Sequence, residues 1–141
     1  MTRLQSPEQQ NRIDQGKRMS SKIDVFIVDD DAHNLQYFQA IINRVHGLRC
    51  IGSTTSGASA VDIVVTSHPD VVLVDYALYP ISGFEIVAQL KREMPEIPII
   101  LLGGRAKLEK QALASGADAY LAMPITPRKL VDAIRSVATV S

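Results

Sequence analysis

A doubly wound α/β domain with a five-stranded parallel sheet is the fold class this sequence predicts, and three observations carry that reading. Short, nearly continuous apolar runs recur at Val25–Val28, Val71–Val74 and Ile99–Leu102. Strands buried on both faces of a parallel sheet need such runs, whereas an antiparallel sheet with one wet face would alternate. Between the runs lie stripes at helical spacing, and after them stand acids and glycines: Asp29, Asp30 and Asp31, then Asp75, then Gly103 and Gly104. In open parallel sheets ligands bind beyond the carboxyl ends of the strands, so function is expected there.

Each element follows in order. Val25–Val28 reads as the first strand, and Leu35, Phe38, Ile42 and Val45 form a one-sided stripe for the first helix. A weaker second strand spans Arg49–Thr54, with a helix near 58–67. The third strand runs into Asp75, and Phe84, Val87, Leu90 and Met94 make the next stripe. Ser82 and Glu85 have the spacing of a capping box for that helix. The fourth strand, Ile99–Leu102, leads to a helix near 107–115. Ala119–Leu121 is the fifth strand, and Thr126 before Pro127 is an N-cap with proline in the first helical position of a helix near 128–138.

The whole chain has 141 residues, with 15 basic and 15 acidic side chains, a 46% apolar share and one cysteine. That is one domain of ordinary globular composition. No net positive charge points to nucleic acid or anionic membrane, and no apolar run approaches the ~20 residues of a membrane helix. A lone Cys50 makes no internal disulfide, and there is no secretory apolar core at the N-terminus, so a reducing cytoplasm is the expected location. The neutrality conceals an asymmetry. Residues 1–22 contain Arg3, Arg12, Lys17, Arg18 and Lys22 against Glu8 and Asp14, a balance of +3 that leaves −3 on the remainder. Without apolar periodicity, this segment is expected to be a disordered polar and basic tail, with Met19 as an alternative start and 23–138 as the folded domain.

Carboxylates crowded at the ends of buried strands repel one another and lose hydration. A divalent cation with oxygen ligands, Mg²⁺ by preference, offsets both costs. The alternative is that Asp31 caps the first helix while Asp29 and Asp30 are solvated loop acids.

These residues resemble the receiver domain of bacterial response regulators over about 23–138. Val28-Asp29-Asp30-Asp31 is similar to the family's acidic cluster, and Val71-Val72-Leu73-Val74-Asp75 to the strand bearing its phospho-accepting aspartate. Gly83 stands eight residues after Asp75, Gly116–Tyr120 resembles the approach to the fifth strand, and Pro124 matches a proline that follows a cis peptide. The resemblance implies a (βα)5 flavodoxin-like receiver fold working in a two-component phosphorelay. Asp75 would accept phosphate from a sensor histidine kinase or phosphotransfer protein. Asp30, Asp75 and the Ala77 backbone carbonyl would hold Mg²⁺ directly, and Asp29 through water. Output would pass to a downstream protein through the fourth helix, fifth strand and fifth helix, and the domain could also form a homodimer. A receiver fold fills the chain, so no DNA-binding or enzymatic output domain is expected within it.

Three positions depart from the family pattern. Gly103 stands where a Thr or Ser is usual and Met123 where a Lys is usual, so a hydroxyl and a cation are both missing from the phosphoryl site. Tyr79 occupies the position of a proline that here comes one residue later, as Pro80, and a different loop path is expected. The amides of Gly103 and Gly104 could still meet an anion, and Arg105 could supply a replacement cation or simply face water. Tyr120 is the aromatic that changes rotamer in the family, and without the hydroxyl a shallow switch or none is expected. A phosphorylation-independent pseudo-receiver that binds proteins is the second reading. A phosphatase is the third, suggested by Asp29-x-Asp31 alone, but Ala32, His33 and Gly103 do not supply its other site residues. Gly52–Ser59 has part of a phosphate-loop spacing with Ala58 in the lysine position. His33, His46 and His68 form no metal motif, and Cys50 is expected to be a small buried residue.

Overall fold

The computed structural model describes residues 22–138. The tail expected over 1–22 therefore lies outside the described residues, apart from an exposed Lys22. Five strands alternate with five helices: β1 (Ile23–Val28), α1 (Ala32–Arg44), β2 (Leu48–Thr54), α2 (Gly57–Ser67), β3 (Val71–Asp75), α3 (Gly83–Glu93), β4 (Ile99–Gly103), α4 (Glu109–Ala114), β5 (Ala119–Ala122) and α5 (Pro127–Ala138). All strand pairs are parallel, in the order β2-β1-β3-β4-β5.

Strand alternation sorts the apolar runs into two cores. Phe26, Val28, Val72, Val74, Ile99 and Leu101 face one side, against Val64 of α2, Ile86 and Leu90 of α3, and Ala112 of α4. Val25, Ile27, Val71, Leu73, Ile100 and Leu102 face the other, against Phe38 and Ile42 of α1 and Leu130 and Ile134 of α5. The central strands are apolar throughout because both faces are covered. β2 is an edge strand with only Leu48 fully buried, which explains its weak pattern in the sequence.

Local signals account for most helix ends. Asp31 caps α1, accepting from the amides of His33 (2.8 Å) and Asn34 (3.2 Å). Thr126 caps α5 through the Lys129 amide at 3.2 Å, with Pro127 opening the helix. Four expectations need correction. The Ser82 hydroxyl does accept from the Glu85 amide at 3.3 Å, but Glu85 turns its carboxylate to Gln89 and Arg92 rather than back to the Ser82 backbone. Val45 and Met94, the last members of their stripes, sit one residue beyond their helices as C-caps. The helix expected near 107–115 is divided into a 3₁₀ turn over Ala106–Leu108 and the short α4, which buries only Ala112 and stops before Gly116 at φ +114°. Cys50 is half-buried on the edge strand rather than buried, and its thiol donates to the Gly52 carbonyl at 3.5 Å.

Candidate functional site: an acidic corner at the carboxyl ends of the strands

β1 and β3 are neighbours, β3 ends in Asp75 and Asp29 follows directly on β1, so the sheet itself brings the two aspartates together. Oxygens of Asp29, Asp30 and Asp75 lie within 4.8 Å of one another. Asp29 is fully buried and Asp75 is 8% exposed, while Asp30 faces solvent. One Asp29 oxygen, Oδ1, accepts from the Asp31 amide at 2.9 Å, and the Asn34 side chain also bonds this carboxylate. The other, Oδ2, is buried without a hydrogen-bond partner. A buried carboxylate oxygen left unmatched is costly and calls for an explanation. A cation held by the three carboxylates would supply one, and the all-oxygen donor set fits Mg²⁺.

The electrostatics agree. Burial pushes the Asp75 carboxyl up to about 6 from its ordinary 3.8, and the neighbouring Asp29, Asp30 and Asp31 charges push the same way against a hydrogen bond from the Ala77 amide. Burial also raises Asp29, opposed by its bonds to Asp31 and Asn34. Of the alternative reading, Asp31 does cap α1 and Asp30 is exposed, but Asp29 is not a solvated loop acid. Its burial beside Asp75 separates the metal-site reading from that alternative.

Gly83 has a physical reason for its spacing. Its amide donates to the Tyr76 carbonyl at 3.0 Å, and a Cβ there would stand 2.3 Å from the Asp75 carbonyl oxygen and 2.6 Å from Tyr76 Cα. Only glycine lets α3 start this close to the end of β3. In the intervening loop Tyr79 is 86% exposed and is joined to Pro80 by a cis peptide. Asn34, on the first turn of α1, is a site residue the sequence reading missed. Its only signal is its position three residues after a capping aspartate.

The remaining positions are placed as follows. Met123 precedes Pro124 through a cis peptide, gives its amide to the Gly103 carbonyl at 2.7 Å and packs its side chain on the core shared with α1 and α5. Gly103 ends β4 buried, and Gly104 is exposed with open space beside it. Arg105 is exposed and makes no ion pair among the described residues. Its carbonyl accepts from the Tyr120 hydroxyl at 2.5 Å. His33 is exposed beside Asp31, His46 and His68 are exposed at the ends of α1 and α2, and none joins the acidic corner.

The fold is thus an open parallel sheet with Asp29, Asp30 and Asp75 gathered at the carboxyl ends of β1 and β3. The chain matches the family described as response regulator receiver domain over residues 25–135, and it belongs to that family. It is a receiver domain of two-component signal transduction with the flavodoxin-like fold. The polar-differentiation response regulator DivK of Brucella ovis is 33% identical over 116 residues, covering 79% of this chain and 93% of that protein. The phosphate regulon transcriptional regulatory protein PhoB of Pseudomonas aeruginosa is 35% identical over 118 residues, 80% of this chain, which spans 50% of that relative's length. Among solved structures, a CheY-like receiver domain protein from Methanospirillum hungatei superposes with a TM-score of 0.75 at 26% identity, covering 84% of this chain and 94% of that one. The response regulator domain of Thermotoga maritima CheB has the same fold, with a TM-score of 0.76 at 24% identity over 85% of this chain and 98% of that one. Domains of this family are generally phosphoacceptors rather than classical enzymes, and they work with histidine kinases or phosphotransfer proteins and downstream targets. No helix among the described residues is long and apolar enough to cross a membrane.

Proposed function

We propose that this receiver domain, spanning residues 23–138, accepts a phosphoryl group on Asp75. The observation that carries the reading is the buried, unpartnered Asp29 Oδ2 beside the Asp30 and Asp75 carboxylates. Asp29, Asp30, Asp75 and the Ala77 carbonyl are the groups that would hold Mg²⁺. When bound, the ion supplies positive charge against the carboxylates and the incoming phosphoryl oxygens.

The chain's own residues do the rest. An Asp75 oxygen attacks the phosphorus of a phosphohistidine, forming the acyl phosphate as the N–P bond breaks and the imidazole leaves with the bonding pair. The Ala77 amide, which donates to the Asp75 carboxylate, orients that nucleophile. The close seat of Gly83 fixes the end of β3 beneath it. The Gly103 amide is committed to the ladder between β4 and β5, so the exposed amide of Gly104 is the one available to phosphoryl oxygens. Two contacts are weaker than in a receiver with Lys and Thr at these places. An ammonium is missing at Met123, worth about 1.5 to 3 kcal/mol, and a hydroxyl at Gly103, worth about 0.5 to 1.5 kcal/mol. Phosphorylation is therefore slower or the product less persistent. The domain acts as an acceptor with at most slow self-catalysed transfer and dephosphorylation, and its kinase and its output target are other proteins.

Incubation with a small phosphodonor and Mg²⁺, read by intact mass, tests this. One added phosphoryl group, not gained when Mg²⁺ is chelated beforehand and absent from Asp75→Asn, is the expected result. No added mass under any of these conditions would favour the second reading, a phosphorylation-independent binding module, for which Gly103 and Met123 are the supporting residues.

A further inference from the structure

Tyr120 occupies the place that any side chain at position 103 would need. The two residues lie on adjacent strands, with Tyr120 paired in register to Leu101, two residues before Gly103. From there the ring runs along β4. A Cβ on Gly103 would stand 2.2 Å from the Tyr120 hydroxyl and 2.9 Å from both Cε1 and Cζ. Distances under 3.0 Å do not occur between a real Cβ and its neighbours, so the ring in this position and a side chain at 103 exclude one another. The ring is 9% exposed, within the core formed with α2, α3 and α4. Its hydroxyl donates to the Arg105 carbonyl at 2.5 Å. Arg105 in turn precedes the 3₁₀ turn that leads into α4.

We infer that Gly103 is a socket for Tyr120, and that this pair ties the β4–α4 loop to the edge strand β5 in one arrangement that does not depend on the state of Asp75. Gly103 has no side chain to move toward a phosphoryl group and vacate or fill this space. A ligand shifts an equilibrium only through contacts that differ between two states, and position 103 offers no side-chain contact that could differ. The β4–α4 loop and the adjoining part of β5 then keep one arrangement whether or not Asp75 carries a phosphoryl group. The independence from Asp75 rests on the acceptor reading proposed above, whereas the socket itself rests only on β4 and β5.

Carbon NMR of the full chain labelled at the tyrosine Cε positions tests both parts, because the four tyrosines can be assigned by single Tyr→Phe variants. In the metal-free, phosphate-free protein, Gly103→Ala is expected to move the Tyr120 signal to the solvent-exposed range, near that of Tyr79. A Tyr120 signal left in place would overturn the socket. If Gly103→Ala is too unstable for spectra, thermal melts of Gly103→Ala, Tyr120→Leu and the double variant decide. The socket predicts that Tyr120→Leu recovers most of the loss caused by Gly103→Ala, and simply additive losses contradict it. Adding Mg²⁺ and beryllofluoride to the native chain is expected to shift Tyr76, beside Asp75, and leave Tyr120 unchanged. Movement of Tyr120 along with Tyr76 would overturn the independence. Silence at Tyr76 would instead overturn the acceptor reading and leave the Gly103→Ala result to judge the socket.

Discussion

Replacing Asp75 by asparagine should stabilise the metal-free domain, and by an amount that grows with pH. Asp75 has its carboxyl raised to about 6 by burial and by the charges of Asp29, Asp30 and Asp31, against 3.8 in a free chain. The folded state therefore favours the protonated acid. Its contribution to stability is fully present below the unfolded value of 3.8 and is lost as pH rises through about 6. The difference corresponds to at most about 3 kcal/mol, reduced by whatever screening water provides at the mouth of the pocket. Linkage between these two values puts about 2 kcal/mol of the loss between pH 4.5 and 7.5. The asparagine of Asp75→Asn keeps the shape and can still accept from the Ala77 amide, but it carries no charge to repel its neighbours. Urea unfolding in the presence of a chelator, repeated across that range, should show the variant gaining on the native protein by roughly 1 to 2 kcal/mol, most of it below pH 6.5. A gap that stays constant, or narrows as pH rises, would refute the electrostatic account of this corner.

Other outcomes follow from the same geometry. Mg²⁺ should raise the melting temperature of the native protein at pH 7.5, and Asp29→Asn or Asp30→Asn should each remove most of that increase. Equal responses in all three proteins would place the ion elsewhere. Met123→Lys should increase acyl phosphate formation from a small phosphodonor by on the order of ten-fold or more, since a charge-assisted hydrogen bond contributes about 1.5 to 3 kcal/mol. No gain would show that the missing ammonium is not what limits the site. Gly83→Ala should destabilise the domain by about 1 to 3 kcal/mol or more in urea melts, because its Cβ meets backbone rather than a yielding side chain. Its Mg²⁺ response should fall as well, because the displaced atoms belong to Asp75 and Tyr76.

Much of the fold was legible because its requirements are local. Doubly covered strands demand unbroken apolar runs, and β1, β3 and β4 have them. Asp31, Thr126 and Pro127 announce helix starts through short-range hydrogen bonds that depend on a few neighbouring residues. The acidic corner was legible for a related reason: in a parallel sheet, acids at the ends of runs must gather on one edge. What escaped was whatever depends on contact between elements. Nothing in the spacing of Asn34 says that it bonds Asp29, and the burial of Asp29 against the exposure of Asp30 follows from how the loop turns. The break before α4 arises because only Ala112 of that helix is buried, too little apolar surface to define a long helix. Gly103 is the clearest case. Read along the chain it is a residue that lacks a hydroxyl, and across the strands it is the space that Tyr120 fills.

The central claim is that Asp75 is the nucleophile of a retained acceptor site. Borohydride reduction of the phosphodonor-treated chain, followed by peptide mapping, tests it at the atom concerned, because an aspartyl phosphate is reduced to homoserine while a free carboxylate is not. Homoserine at position 75 alone, formed only when Mg²⁺ is supplied, is the predicted result. Reduction mapped to Asp29 or Asp30, or none at position 75 in a chain that has gained phosphate, would contradict it.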